Sequence, residues 1–387
     1  MDLNKRVEAY KQYIIDMRRD FHMHPEVAFE ENRTSQRLKE ELEKMGIEAV
    51  PITKTGVVAT IEGKNRDKMV ALRSDIDALA VEEKNEHAYV SKNKGFMHAC
   101  GHDAHMAMLL GAARVLNDMK SELNGSVRLI FQPAEETTSG AEGIIKEGGL
   151  EGVSNIFGIH IISMIPVGLA SVEPGPRMAS ADLFEIEVIG KGGHGGMPHE
   201  CIDPIVAGSA IVMNLQSVAS RESSPIDPLV ISVAQFHSGT AFNVLANTAR
   251  LQGTVRCFNE GLRERIPGII ERIAGHTAEA YRATAEVQYI EGVPPTVNEE
   301  RSTRRAQEAV AKIMGPDALI SSPPMTGAED FSLYVKEVPG TFLFLGAGNK
   351  KKDATYAHHN ERFEIDEDAL TTGSALHVQY ALDYLNQ

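Results

Sequence analysis

The chain has no tryptophan, only three cysteines in 387 residues, and fewer basic residues (39) than acidic ones (54). Cys100, Cys201 and Cys257 are odd in number and widely spaced. A disulfide framework is therefore not expected, and a reducing cytoplasm fits best. The net charge of −15 argues against nucleic acid or an anionic membrane as a partner. There is no run of about 18 apolar residues to span a membrane, and residues 1–20 are charged throughout, with no apolar stretch of a secretory leader. Low-complexity tracts and CxxC pairs are also missing. The latter absence weighs against a closed structural zinc site, which usually repeats paired cysteines. What remains is an ordinary globular composition, 42% apolar, in a chain longer than one hydrophobic core usually supports. Two domains are expected.

One stretch stands out. His98-Ala99-Cys100-Gly101-His102-Asp103-Ala104-His105 packs a thiol and three imidazoles into eight residues. About thirty residues later, Gln132-Pro133-Ala134-Glu135-Glu136 ends in adjacent carboxylates. Soft, borderline and hard ligands gathered this way suit a divalent transition metal. One of two neighbouring carboxylates can ligate metal while the other moves protons. Cys100 and His102, two apart, cannot share a helix face, so they need the extended or tight backbone that Gly101 permits. Metal-assisted hydrolysis is the chemistry these runs point to.

The surrounding pattern places them on an α/β frame. Residues 4–19 and 31–45 read as amphipathic helices, and 56–61 and 68–73 as strands. A helix from Asp103, with Asp103 as N-cap, runs to about residue 120. Strands follow at 126–132 and 155–161, with a helix through 140–147 between them. Alternating strands and helices predict a mainly parallel sheet flanked by helices, with the chemistry at the strand ends. Asp75, Asp77, Glu135, Glu136 and His160 all sit there. Asp77 is a candidate to orient a ligand histidine or the base. On their own, Asp77 equally suits a strand-end turn, His160 a core-edge histidine, and His358-His359 a surface pair.

The middle of the chain reads β-α-β-β-α-β: strand 182–189, helix 203–220, strands 229–236 and 249–257, helix 261–282 kinked or begun at Pro267, and strand 285–290. That is the ferredoxin-like α+β pattern. It is expected as a satellite domain, 179–292, inserted into a catalytic domain formed by 1–178 and 293–387. A helix (300–313), a strand (341–345) and a helix (368–385) complete the first domain. Within the insertion, Gly190-Lys191-Gly192-Gly193-His194-Gly195-Gly196 is a glycine-rich loop with no phosphate-loop signature. Its His194 is either a solvated turn histidine or a donor to a developing oxyanion. Asn243 and Arg256 are candidates to hold a substrate carbonyl and carboxylate.

Taken together, these residues resemble the M20 metallopeptidases, specifically the M20D amidohydrolases. The group includes aminoacylases, hippurate hydrolases, auxin-conjugate hydrolases and N-acetyldiaminopimelate deacetylases. The resemblance runs from Arg18-Arg19-Asp20-Phe21-His22 through 72–79, 98–105, 131–136, 192–199 and 253–256 to Gly327-Ala328-Glu329-Asp330-Phe331 and His359…Phe363. It implies two divalent ions (Zn, Mn, Co or Ni) held by Cys100, His102, Glu136, His160 and His359, with Cys100 bridging. His359 is preferred to His358 because the family ligand lies four before the phenylalanine that Phe363 matches. Glu135 is implied as general base and acid, and His194, Arg256 and Asn243 as substrate contacts. The implied reaction is hydrolysis of N-acyl amino acids, with a dipeptidase or carboxypeptidase as the alternative. The satellite is implied as a lid or as the contact of a homodimer or higher homo-oligomer. Ala80 in place of the family proline, His160-Ile161-Ile162 in place of His-Val-Trp, and His359-Asn360-Glu361 in place of HxP are departures. None of them removes a ligand.

Overall fold

The computed structural model describes residues 3–65 and 67–387. It divides into two compact units, one of residues 1–175, 297–323 and 330–387, the other Pro176–Thr296 with Pro324–Glu329. The expected insertion lies within the second unit, which also takes in the short 324–329 segment.

The first unit is built on a seven-stranded sheet. Its order is Ala49–Ile52, Gly56–Ile61, Ser126–Gln132, Met69–Asp75, Asn155–Pro166, Gly340–Gly348, Ala170–Ser171. The four strands from Ser126–Gln132 to Gly340–Gly348 are mutually parallel, and antiparallel pairings occur only toward the two edges. The parallel strands are covered on both faces. Their sequences are accordingly apolar runs such as Phe342-Leu343-Phe344-Leu345 rather than alternations. The helix His102–Asp118 is apolar almost all round and lies buried, with the last helix, Asp368–Leu385, packed on it. Gly373 makes this close approach possible, since a Cβ there would meet Met108 Sδ at 2.0 Å.

Three expectations change. The helix expected over 4–19 is two, Leu3–Glu8 and Lys11–His22. The 261–282 helix is also two, Glu260–Arg263 and Ile266–Ala280, and Pro267 stands in the first turn of the second, where its missing N–H costs no hydrogen bond. Asp103 is not an N-cap. Gly101 occupies that position, and the Asp103 side chain, fully buried, instead accepts hydrogen bonds from Arg18 Nε at 2.9 Å and pairs with His22 Nδ1 at 2.7 Å. Tertiary ion pairing has overridden the local capping preference.

The second unit is a four-stranded antiparallel sheet in the order Leu229–Ser238, Thr248–Cys257, Ala181–Ile189, Thr284–Val293. Numbered along the chain this is 2-3-1-4, the ferredoxin-like order. The helices Pro204–Ser217 and Ile266–Ala280 pack against each other and the sheet. Ala181–Ile189 alternates buried and open positions, so Phe184, Ile186 and Val188 face a core of their own. Asp203 caps the first helix by accepting from Ile205 N and Val206 N.

Arg18 is 0% exposed and ion-paired to Asp103, Glu364 and Glu367. Burial works against the charge on Asp103 and Glu364, but Arg18 outweighs it and holds both carboxyls well below their usual range. Groups depressed in this way stabilise the fold at and above the ordinary carboxylate range, and that stability is lost as pH falls through their lowered values. Arg18→Met, which strands two buried carboxylates, is expected to cost about 3–5 kcal/mol. The urea midpoint should drop, and acid unfolding followed by circular dichroism should begin at a higher pH than in the unchanged protein.

Candidate active site and metal centre

The site is assembled within the first unit at the ends of the strands Met69–Asp75 and Ser126–Gln132, with His160 supplied not from a strand end, as expected, but from the middle of the longer strand Asn155–Pro166. Gly101 has φ +91°, a left-handed conformation that turns the chain from Cys100 into the helix beginning at His102. A Cβ there would lie 2.5 Å from Ile161 Cδ1. This turn sets Cys100 and His102 on the same locality although they are only two residues apart.

Asp77 organises what faces them. Its Oδ1 accepts from Glu135 N at 3.1 Å and its Oδ2 from Glu136 N at 3.0 Å. Its backbone carbonyl accepts from His102 Nδ1 at 2.9 Å. The Nδ1 proton is thereby committed to that carbonyl, so Nε2 is the nitrogen directed at the carboxylates. His102 Nε2 lies 3.9 Å from both Glu135 Oε2 and Glu136 Oε1. Burial opposes the charged form of His102, yet Asp75 and Asp77 raise its pKa well above the ordinary value.

Around Cys100 Sγ stand His160 Nε2 at 3.5 Å and His358 Nδ1 at 3.7 Å. Cys100, Glu136 and His359 also bring their donor atoms within 4.8 Å of one another. His160 turns its Nδ1 to the Ile161 carbonyl at 2.7 Å, so its Nε2 is the free acceptor. Burial first, then His105, pushes its pKa well down and keeps it neutral. Hydrogen bonding to Cys100 and Glu136 raises half-exposed His359 to about 10, whereas burial lowers His358 to about 4. Burial and the Glu136 charge raise the Cys100 thiol.

The donor set fits a divalent transition metal. His102 Nε2 and Glu136 Oε1 are buried and make no well-directed hydrogen bond among the described residues, Glu136 Oε1 standing 3.5 Å from His359 Nε2. Buried polar atoms are rarely left so. Sulfur, imidazole nitrogen and carboxylate oxygen converge on that gap. Asp75, His102 and His105 also form a group of metal-ligand type, but His105 is already saturated. Its Nδ1 meets Asp75 Oδ1 at 2.6 Å, and its Nε2 accepts from Ile161 N at 3.0 Å. His105 thus pins the strand that carries His160.

Two participants are given no role by the sequence, Glu31 being unmarked and Asp330 only part of a matching stretch. Glu31, fully buried, accepts from Ala134 N at 3.0 Å and Thr55 Oγ1 at 2.6 Å, holding Ala134 in its left-handed conformation (φ +54°). Asp330, also fully buried, accepts from Arg73 and from Gln132 and Ala141 N. A glutamate at the start of an amphipathic helix and an aspartate before one read as solvated. His105 and His358 were visible as histidines, but only the fold separates a strand pin from a neighbour of sulfur.

His194, Asn243 and Arg256 lie in the second unit. Gly193–His194 pairs with Val244–Leu245, and Gly195 N donates to the Asn243 carbonyl at 2.8 Å, which brings His194 and Asn243 together. His194 Nδ1 accepts from Gly196 N at 3.0 Å, so its ring proton sits on Nε2, on an exposed side chain. Arg256 is on the strand Thr248–Cys257 and bonds Thr254 Oγ1 and the Val255 carbonyl. No hydrogen bond links it to His194 or Asn243 among the described residues.

The model of the peptidase family M20/M25/M40 matches residues 71–383. The chain belongs to that family. It is a metallohydrolase of amide bonds. It is 41% identical over 393 residues to thermostable carboxypeptidase 1 of Saccharolobus solfataricus, across 100% of this chain and 98% of that protein. It is also 41% identical to an N-acetylcysteine deacetylase of Bacillus subtilis, across 97% of each. Among solved structures, a dinuclear metal binding peptidase of the M20 family from Bacillus subtilis shares 37% identity and a TM-score of 0.88, covering 98% of this chain and 99% of that one. A putative aminohydrolase from methicillin-resistant Staphylococcus aureus reaches a TM-score of 0.95 at 33% identity, with both chains fully covered. No helix among the described residues is long and apolar enough to cross a membrane.

Asp77→Ala removes the acceptor for two consecutive buried amides and loosens the turn bearing Glu135 and Glu136. The expected loss is about 10–100-fold in metal affinity or in activity, measured by metal titration of the stripped protein and by kcat.

Proposed function

We propose that the protein hydrolyses the amide bond of N-acyl amino acids, releasing a carboxylic acid and a free amino acid. The observation that carries this reading is the single turn, fixed by Asp77, that presents Glu135 and Glu136 to an imidazole nitrogen with no other partner. Relatives named as N-acetylcysteine deacetylase and IAA-amino acid hydrolase support the N-acyl substrate class. We assign Cys100, His102, Glu136, His160 and His359 to hold two divalent ions, in keeping with the dinuclear M20 neighbour. Such ions, when bound, polarise a carbonyl and lower the pKa of water.

The chain's own groups supply the rest. Glu135, mostly buried and 3.9 Å from His102 Nε2, takes a proton from the attacking water and returns it to the leaving nitrogen. The backbone of the Asp77-bound turn keeps its carboxylate from swinging away. His358 Nε2 is the acceptor from Ser163 N at 3.5 Å. Its Nδ1 proton then points to Cys100 Sγ, which makes His358 a donor to sulfur and favours His359 as the ligand. His194, with its proton on Nε2, is suited to receive the developing oxyanion, and Asn243 and Arg256 to receive the substrate carbonyl and carboxylate.

Stripped protein reloaded with Zn²⁺, Mn²⁺, Co²⁺ or Ni²⁺ is expected to cleave N-acetyl, N-benzoyl or N-indoleacetyl amino acids and to spare free dipeptides. Release of C-terminal residues from peptides alone would move the chain to the carboxypeptidase reading that its 41% identical relative favours. Glu135→Gln should keep the metals by elemental analysis yet lose about 10²–10⁴-fold in kcat. A near-normal rate would remove Glu135 from the mechanism.

A further inference from the structure

A second group of metal-type donors lies in the first unit, away from Cys100. It joins the helix Lys11–His22, the irregular segment 83–91 and the segment before the last helix. His22 Nε2 is 3.2 Å from Glu83 Oε1, and His87 Nε2 is 3.4 Å from the same oxygen and 2.9 Å from Glu364 Oε2. His22, Glu83 and His87 have their donor atoms within 4.8 Å of one another. For bonds of the length zinc makes to nitrogen and oxygen, the edges of a tetrahedron are about 3.3 Å. The 3.2 and 3.4 Å separations to Glu83 match those edges, and the 2.9 Å one to Glu364 is shorter.

Three further observations point to a cation rather than to ordinary hydrogen bonding. His22 turns Nδ1 to Asp103 Oδ2 at 2.7 Å. A carboxylate behind the remote nitrogen is the usual support of a metal-bound histidine, and it leaves Nε2 to meet Glu83 Oε1 through either a second ring proton or a cation. Neither ring nitrogen of His87, both buried, makes a well-directed hydrogen bond among the described residues, although Nε2 lies 2.9 Å from Glu364 Oε2. The ion-paired network also carries surplus negative charge. Asp103, Glu83, Glu364 and Glu367 face only two guanidiniums, Arg18 and Arg19, which leaves two charges that one divalent ion would neutralise.

We propose that His22, Glu83, His87 and Glu364 form a structural site for one zinc-like divalent ion, separate from the catalytic centre. All four positions come from protein side chains, which closes the site to substrate. The ion ties the 83–91 segment, just ahead of the His98–His105 run, to the helix Lys11–His22 and to the segment before the last helix. A pair of protons, one on each imidazole, would balance the same charge.

The test is a zinc count. Full-length protein is stripped with chelator, dialysed to equilibrium against Zn²⁺ alone and assayed by elemental analysis. His87→Gln and His87→Phe, the latter keeping the ring stack on Tyr89, are each expected to bind one zinc fewer than the unchanged protein. Their amide hydrolysis should stay within about twofold, which also reports that they fold. Cys100→Ala should retain this zinc while losing metal at the other centre, so failure of the catalytic assignment would show separately. Equal zinc content in the His87 variants and the unchanged protein would overturn the proposal and leave the imidazoles to protons.

Discussion

The carboxylate of Asp77 is the contact on which the site depends. A strand-end aspartate, 1% exposed, spends both oxygens on consecutive amides and its carbonyl on an imidazole. The amides belong to the two residues proposed to do the chemistry, and the imidazole, His102, keeps Nε2 without a hydrogen bond. Glu31 adds a third buried acceptor on the preceding amide, Ala134 N. Three successive N–H groups that would otherwise be orphaned at a strand end are satisfied by two buried carboxylates. The turn can then present Glu135 and Glu136 in fixed, divergent directions without help from regular structure.

The same arrangement explains which parts of the site are legible in sequence. The HACGHD and PAEE runs announce themselves because thiol, imidazole and adjacent carboxylates are costly to gather without a ligand. The parallel strands are legible because burial on both faces demands apolar runs, and the satellite because one-sided burial demands alternation. The supporting carboxylates are not. Glu31, Asp103 and Asp330 are acidic residues at helix starts, where solvated capping is the ordinary expectation. Asp103 misleads for that reason: its partner Arg18 is eighty-five residues away, and only folding reveals the pairing. Likewise His105 and His160 are both histidines near the motif, but the Ile161 amide saturates one and leaves the other open.

Buried charge is the recurring device of the first unit. Arg18 holds Asp103, Glu364 and Glu367, and Arg73 holds Asp75 and Asp330, each centre fully enclosed. Such networks are a weak source of net stability, yet removing one member is severe, because the remaining charges stay desolvated. Both networks abut the metal-type clusters, Arg73 through Asp75 and His105, Arg18 through Asp103 and His22. The second unit uses one of the same kind, with Asp182, near the start of the inner strand Ala181–Ile189, receiving Arg263, Tyr289 and the Gly292 amide. Fixed charges that cannot relax are what give weakly bonded catalytic side chains a definite geometry.

The most direct test of the account is anomalous diffraction from crystals loaded with zinc, recorded on both sides of the zinc absorption edge. The account predicts two anomalous peaks in the Cys100 centre, bounded by Cys100, His102, Glu136, His160 and His359. His105 should keep its Asp75 and Ile161 contacts, and His358 should stand off as a donor to sulfur. A peak ligated by His105 or His358, or an active crystal form with no peak between Cys100 and Glu136, would contradict it.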